Sequence, residues 1–479
     1  MSITNIVKRL QDIMRQDAGI NGDAQRIEQI VWMLFLKVYD AREEFWEFYD
    51  DDYESIIPEE YRWRNWAVDN KDGNALTGEE LLDFVNNTLF PALKDIEIDE
   101  YTERKSSIVK EVFEDTHNFM KDGILLRQVV NVIDEVDFTD YDERHTFNDI
   151  YENLLKDLQS AGNAGEYYTP RALTDFITEM LQPKVTDKVA DFACGTGGFL
   201  TSYLNYLSNN NMVKTPEEKE EVNKNICGIE KKPLPHLLCI TNMLLHDIDE
   251  PNIIHGNSLE KNVRDYNEED KFDVIMMNPP YGGTEVDSIK VNFPTSMQSS
   301  ETADLFMALI LYRLKENGKC GVVLPEGFLF GEDNAKTAIK EKLLRECNLH
   351  TIVRLPQGVF APYTPIKTNL LFFEKGNPTK EVWYYEHQLP EGYKNYTKTK
   401  PIKLSDFEAE RKWWNNREEN EYAWKVSIED IKEANYSLDF KNPHIEEENL
   451  NLSIDELIDR ILKSQEKSLK IIKNLKELI

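Results

Sequence analysis

"VADFACGTGGFL", residues 189 to 200, reads as a buried strand, a tight turn and the opening of a helix. Gly195, Gly197 and Gly198 permit positive φ and let a ligand come close to the backbone. Leu200 stands where a G-x-G-x-x-G string would have its third glycine, and no G-x-x-x-x-G-K-[ST] occurs in the chain, which weakens dinucleotide and nucleotide-hydrolysing readings. Outward from this turn run further short apolar stretches separated by helical patterns: "NICGIE", "NIIHGN", "FDVIMMN", "KCGVVLP", "TIVRLP" and "TNLLFFEKG". Strands that are continuously apolar are buried on both faces, so the alternation predicts a doubly wound α/β sheet. Ligands in such sheets sit beyond the carboxyl ends of the strands. The polar residues just after each run are therefore the ones to read, Glu230 and Asn278 among them.

The flanks have a different rhythm. Residues 1–160 are predicted to form an all-α domain, with "RIEQIVWMLFLKVYDAREEFWEFY" (26–49) placing Ile27, Ile30, Val31, Leu34, Val38 and Phe45 at helical intervals. The α/β unit is expected over 161–395. Residues 396–479 form a C-terminal region ending in "SIDELIDRILKSQEKSLKIIKNLKELI", whose apolar stripe must be buried, either on its own domain or on a partner helix.

Composition narrows the function. Asp and Glu outnumber Lys and Arg by 88 to 56 over 479 residues, a formal charge of -32, so the average surface repels polyanions and anionic membranes. Any nucleic-acid partner would need a local basic groove or a second subunit. Five scattered cysteines without a C-x-x-C pair indicate neither a disulfide framework nor a zinc site, and fit a reducing cytoplasm. The apolar stretch "IVWMLFLKV" (30–38) is too short to span a bilayer, and no metal site is expected.

The second informative string is "DVIMMNPPYGG" (273–283), a strand that ends on Asn278, Pro279, Pro280 and Tyr281. This ending suits methylation of an exocyclic amine such as that of adenine, whose nitrogen lone pair is delocalised into the ring. Asn278 offers a side-chain carbonyl and Pro279 a backbone carbonyl, two acceptors for the amine hydrogens, held rigid by proline. Tyr281 offers a flat face for a base taken out of a duplex. A sulfonium donor such as S-adenosylmethionine needs no metal, and Glu230 at the next strand end is placed to accept from ribose hydroxyls. A cytosine C5 mechanism would need a cysteine following a proline, and no cysteine here follows one. A bland reading makes NPPY a strand-terminating turn; the glycine turn and the acid upstream in the same unit weigh against it.

Together these residues resemble N6-adenine DNA methyltransferases, specifically the methylation (M) subunit of type I restriction-modification systems. The resemblance extends to "AGEYYTPRALTDFI" (164–177), "GKCGVVLPEGFLFG" (318–331), "LPQGVFAPYTPIKTNLLFFEKG" (355–376) and "ANYSLDFKNPH" (434–444). It implies a Rossmann-like S-adenosylmethionine-dependent methyltransferase domain with an N-terminal helical domain and a C-terminal helical tail. It implies cofactor binding by Glu166, Tyr167, Tyr168, Thr169, Pro170, Arg171, Asp191, Thr196, Gly197, Gly198, Glu230 and Asn257, the last standing where relatives often carry an acid. Catalysis falls to Asn278, Pro279, Pro280 and Tyr281, and Phe360 is implied as a second wall for the flipped base. The implied partners are double-stranded DNA, a specificity (S) subunit, as two M to one S, and a restriction and motor (R) subunit. N5-glutamine methylation of a protein and a catalytically silent scaffold are the competing readings.

Overall fold

The computed structural model describes residues 3–69, 73–99, 102–138, 151 and 168–444. The predicted sheet is present, nine-stranded and in the order β3-β2-β1-β4-β5-β7-β6-β8-β9. Its strands are β1 (Val189–Asp191), β2 (Ile226–Glu230), β3 (Ile253–His255), β4 (Phe272–Met277), β5 (Leu314–Pro325), β6 (Cys347–Arg354), β7 (Thr368–Lys375), β8 (Glu381–Glu386) and β9 (Ala423–Ser427). Strands β1 to β5 pair in parallel, and β7 runs antiparallel between β5 and β6. The chain leaves β1 toward β2 on one side and returns to β4 on the other, which opens a crevice at the carboxyl ends of β1 and β4.

Each apolar run singled out in the sequence is one of these strands. Two strands come from the aromatic region instead: "EVWYYE" forms β8 and "AWKVS" forms β9, which carries the sheet past residue 395, the expected end of the α/β unit. Alternating polar residues and tryptophans hid their period, because Tyr384 and Trp424 stack on one face while Trp383 meets Trp413 on the other.

The amino-terminal helices include α1 (Ile3–Met14), α2 (Asp23–Tyr49), α3 (Arg104–Glu114) and α4 (Gly123–Asp134). Helix α4 is capped by the Asp122 carboxylate, which accepts from the Ile124 and Leu125 amides at 2.8 and 3.0 Å. The middle of α2 is buried on all sides, Ile30 through Leu36, as a helix apolar all round must be. Phe45 departs from the predicted apolar stripe: it is 46% exposed, beside Phe48 and Tyr49.

Around the sheet lie α5 (Arg171–Leu181), α6 (Gly198–Asn209), α7 (Pro233–Leu245) and α8 (Thr302–Arg313). Helix α7 is buried along nearly its whole length because it lies between β2 and β3 on one side and α2 on the other. The segment 434–444 seals the far end of the sheet: Tyr384 donates to the Leu438 carbonyl at 3.0 Å, and Arg354 donates to Phe440 O and Asp439 Oδ1 at 2.8 and 2.7 Å. The carboxy-terminal helix expected over 453–479 lies outside the described residues. Among the described residues, no helix is long and apolar enough to cross a membrane.

Candidate active site

The crevice between β1 and β4 is a cleft lined by residues from both of the strings read above. Its floor is the glycine turn. Gly195 and Gly197 adopt φ of 54° and 83°, the left-handed region that side chains disfavour. A Cβ on Gly197 would also come within 2.8 Å of the Cys239 sulfur. Helix α6 starts here without a side-chain cap, so its first amides are donors suited to an anionic or polar ligand group.

Glu230, at the end of β2, holds the turn in place. One carboxylate oxygen accepts from the Gly195 amide at 3.0 Å and the other from the Lys232 amide at 2.8 Å. The Lys231 amide also bonds this carboxylate, which, with about four lone-pair sites, still has room for a ligand hydroxyl. Burial pushes the Glu230 carboxyl up and those amides oppose the shift. Asp191, at the end of β1, is 1% exposed; burial pushes it up to about 8, against a hydrogen bond from the Ala193 amide and with help from the Glu230 charge. Asn257, after β3, lines the same end and caps its own turn by accepting from the Leu259 amide at 3.1 Å.

At the other end, β4 delivers Asn278, Pro279, Pro280 and Tyr281 into the cleft. The Asn278 amide nitrogen donates to Thr169 Oγ1 at 3.1 Å, and its oxygen accepts from the Tyr281 hydroxyl. Thr169 and Tyr281 thus hold the Asn278 amide at its two ends. Burial raises the Tyr281 phenol well above its ordinary range, which keeps it a donor. Phe360 is 3% exposed and meets Tyr281 edge to face, with centroids 6.2 Å apart and planes at 88°. It braces Tyr281; two rings in this arrangement are not parallel walls of a base-wide slot.

Tyr168, Thr196 and Gly198 also line the cleft. Pro170 is the buried N-cap residue of α5 and Arg171 lies behind the turn, its guanidinium 5.2 Å from the Tyr168 ring centroid and its Nη1 in the place a Gly198 Cβ would take. Glu166 and Tyr167 lie outside the described residues.

Three contributors escaped the sequence reading. Asn242 of α7 donates to the Thr196 carbonyl at 3.0 Å, Ser258 donates to the Phe192 carbonyl, and Tyr363 lines the target end beside Phe360. Asn242 carried a signal, a polar residue within the apolar "LLCITNMLL" of a buried helix.

Comparison with known proteins places this geometry. The sequence family described as N-6 DNA Methylase matches residues 142–451, and that described as HsdM N-terminal domain matches 3–133. The chain is similar to the type I restriction enzyme EcoEI methylase subunit of Escherichia coli, 53% identical over 466 residues covering 96% of this chain and 94% of that protein. It is 30% identical to the type I restriction enzyme EcoKI methylase subunit of Escherichia coli strain K12, over 79% of this chain and 70% of that one. Among solved structures, a modification subunit assigned to a type I restriction enzyme of Vibrio vulnificus YJ016 superposes with TM-score 0.81 and 40% identity, covering 93% of this chain and 97% of the other. A chain from a structural study of complex assembly and conformational transition in the type I R-M system reaches TM-score 0.84 at 36% identity, covering 100% and 98%.

Proposed function

From the premise that the chain belongs to the N-6 DNA methylase family, as a type I restriction-modification methylase subunit, we propose how its cleft works: it holds S-adenosylmethionine at the glycine turn and a flipped adenine at Asn278. The carrying observation is that Asn278 and Glu230, 48 residues apart in sequence numbering, line one cleft at the carboxyl ends of adjacent parallel strand pairs.

The residues present fit the cofactor. Glu230 retains acceptor capacity for ribose hydroxyls, Asn257 stands at the adenine side, and the uncapped start of α6, with Thr196 and Gly198, suits the methionine portion. Tyr168 and Thr169, with Arg171 behind the turn, close that portion from the side. When bound, S-adenosylmethionine supplies an electrophilic sulfonium methyl group.

The protein's own part is to prepare the nucleophile. The Asn278 oxygen accepts one amine hydrogen of the target adenine and the Pro279 carbonyl the other, drawing the nitrogen lone pair out of conjugation with the ring. Thr169 holds the Asn278 amide from its nitrogen end. Tyr281 supplies the stacking face and Phe360 keeps that ring from tilting.

The charge of -32 assigns DNA affinity largely elsewhere. The proposed assembly is two copies of this chain with one specificity subunit, joined by a restriction and motor subunit for cleavage, acting on double-stranded DNA in the cytoplasm. Residues 453–479 are proposed to dock on the specificity subunit; unchanged assembly after their deletion would refute that contact.

The test is co-expression with the specificity subunit and S-adenosylmethionine carrying a labelled methyl group, followed by mass spectrometry of DNA nucleosides. Label in N6-methyladenine, lost in Asn278→Ala, is expected. Label in protein glutamine instead would overturn the assignment of substrate.

A further inference from the structure

Strand β3 is the edge of the sheet, three residues long and, among the described residues, paired only with β2. An exposed edge that short has little of its own to hold it. What covers it is the amino-terminal helical region. Arg104, the first residue of α3, donates from Nη2 to the Ile253 carbonyl at 2.9 Å and from Nε to the Pro251 carbonyl at 3.3 Å. Asp115, just past the same helix, faces His255 at 4.0 Å. From α2, Arg42 reaches the connection between α7 and β3, donating to Asp247 Oδ1 at 2.7 Å and through Nε to Asp249 Oδ1 at 2.8 Å. Arg42 is 5% exposed while its two aspartate partners are partly exposed, so losing those partners would leave a buried charge unpaired.

The clamped segment, 247–255, is flanked on both sides by parts of the cofactor end of the cleft. Before it, α7 carries Asn242, which holds the Thr196 carbonyl of the glycine turn. After it come Gly256, whose amide donates to the Glu230 carbonyl at 2.9 Å, then Asn257 and Ser258 on the cleft wall. His255 itself donates through Nε2 to the Lys231 carbonyl, 3.2 Å away, next to Glu230.

We infer that Arg42 and Arg104 are positioning residues for the cofactor site: the amino-terminal helices set the cofactor affinity of the catalytic sheet by holding the α7–β3 segment. This rests on the assignment of the glycine-turn end to S-adenosylmethionine. Linkage makes the coupling reciprocal, so cofactor binding also tightens the grip of α2 and α3 on that segment. Whatever partner shifts those helices therefore changes cofactor affinity without touching the cleft.

The experiment is calorimetric titration of the full chain with S-adenosylmethionine, for the unmodified protein, Arg42→Ala, Arg104→Ala and the double variant, with thermal unfolding recorded for each. The double variant is expected to raise Kd about tenfold, an ordinary size for such coupling. In the assembled enzyme KM for the cofactor should rise with kcat held within about twofold. Exchanging the charges, Arg42→Asp with Asp249→Arg, should recover part of the affinity that Arg42→Asp loses. A Kd within twofold of the unmodified chain, or no recovery on exchange, overturns the inference. Failure of the unmodified chain to bind any cofactor would instead remove the assignment of the cleft, and the inference with it. Hydrogen exchange of the unmodified chain needs no variant: cofactor should slow amides in α2 and α3 as well as at the turn, and no change in those helices is a refutation.

Discussion

The two ends of the cleft are built by different means. At the glycine-turn end the fixed groups are backbone: two amides grip Glu230, the Gly195 and Gly197 torsions shape the floor, and Asn242 ties down a carbonyl. At the NPPY end the groups are side chains holding one another, Thr169 on Asn278 and Tyr281 on Asn278, with Phe360 braced against the tyrosine. Backbone contacts keep their geometry whether or not a ligand is present. Side-chain contacts can be exchanged, and the Asn278 oxygen now held by Tyr281 is the atom the target amine needs. On the proposed function, one end is preformed and the other is rearranged by its substrate.

The sharpest way to break this contrast is Asn278→Ala. It should lower methyl transfer by about 10²–10³-fold, the usual cost of losing a group that stabilises developing charge. Cofactor Kd, set at the other end, should stay within about twofold, which titration calorimetry on the same variant checks. A parallel loss of cofactor affinity would mean that the two ends are one structure.

Gly197→Ala attacks the preformed end. The new Cβ meets the Cys239 sulfur at 2.8 Å and the backbone sits at φ 83°, so strain of about 1–2 kcal/mol is expected at the turn. That predicts roughly a tenfold rise in cofactor Kd. With saturating cofactor, kcat should recover, because the groups around Asn278 are untouched.

This contrast also accounts for what was legible in the sequence. The turn, the strand ends and Glu230 were readable because backbone geometry demands particular residue types at particular spacings, glycine at positive φ above all. The NPPY string was readable from its chemistry, two acceptors held rigid by proline beside an aromatic face. The pairing of Thr169 with Asn278, 109 positions away, was not. The resemblance of "AGEYYTPRALTDFI" assigns Thr169 to the cofactor, and only the folded chain shows that its hydroxyl also accepts from the Asn278 amide. Phe360 was legible as an aromatic near the target and illegible in its orientation. Strands β8 and β9 were missed because tryptophans and tyrosines pack both faces at the sheet's far end, which erases the alternation of period two.

The paired acids of the preformed end give it a pH dependence that the NPPY end lacks. Asp191 is pushed up to about 8 by burial, from an ordinary carboxylate value near 4. Between those limits the folded chain holds a proton that the unfolded chain has lost, so stability falls as pH rises from about 4 to about 8. Asp191→Asn removes that contribution. Its unfolding free energy should lose up to about 1.4 kcal/mol per pH unit of downward slope relative to the unmodified chain, measured by denaturant melts across the window. The same comparison for Thr169→Val, at the other end, should show no change in slope.

The smallest expected effect is the most informative about the exchangeable end. Tyr281→Phe keeps the stacking face and deletes the hydroxyl that now donates to the Asn278 oxygen. If that hydroxyl only occupies the oxygen until the amine arrives, its removal frees the acceptor, and KM for DNA should fall slightly or stay constant with kcat within about fivefold, a shift of about 1 kcal/mol. If the hydroxyl instead orients the amide during transfer, kcat should drop while KM holds. Thr169→Val separates the two further, since it loosens the amide from the opposite side without altering competition for the oxygen. A kcat loss in Thr169→Val larger than that in Tyr281→Phe is expected, because Thr169 bonds the nitrogen, which never contacts the amine, and so can keep its hold throughout the reaction, whereas the Asn278 oxygen has a second lone pair for the amine whether or not the Tyr281 hydroxyl stays.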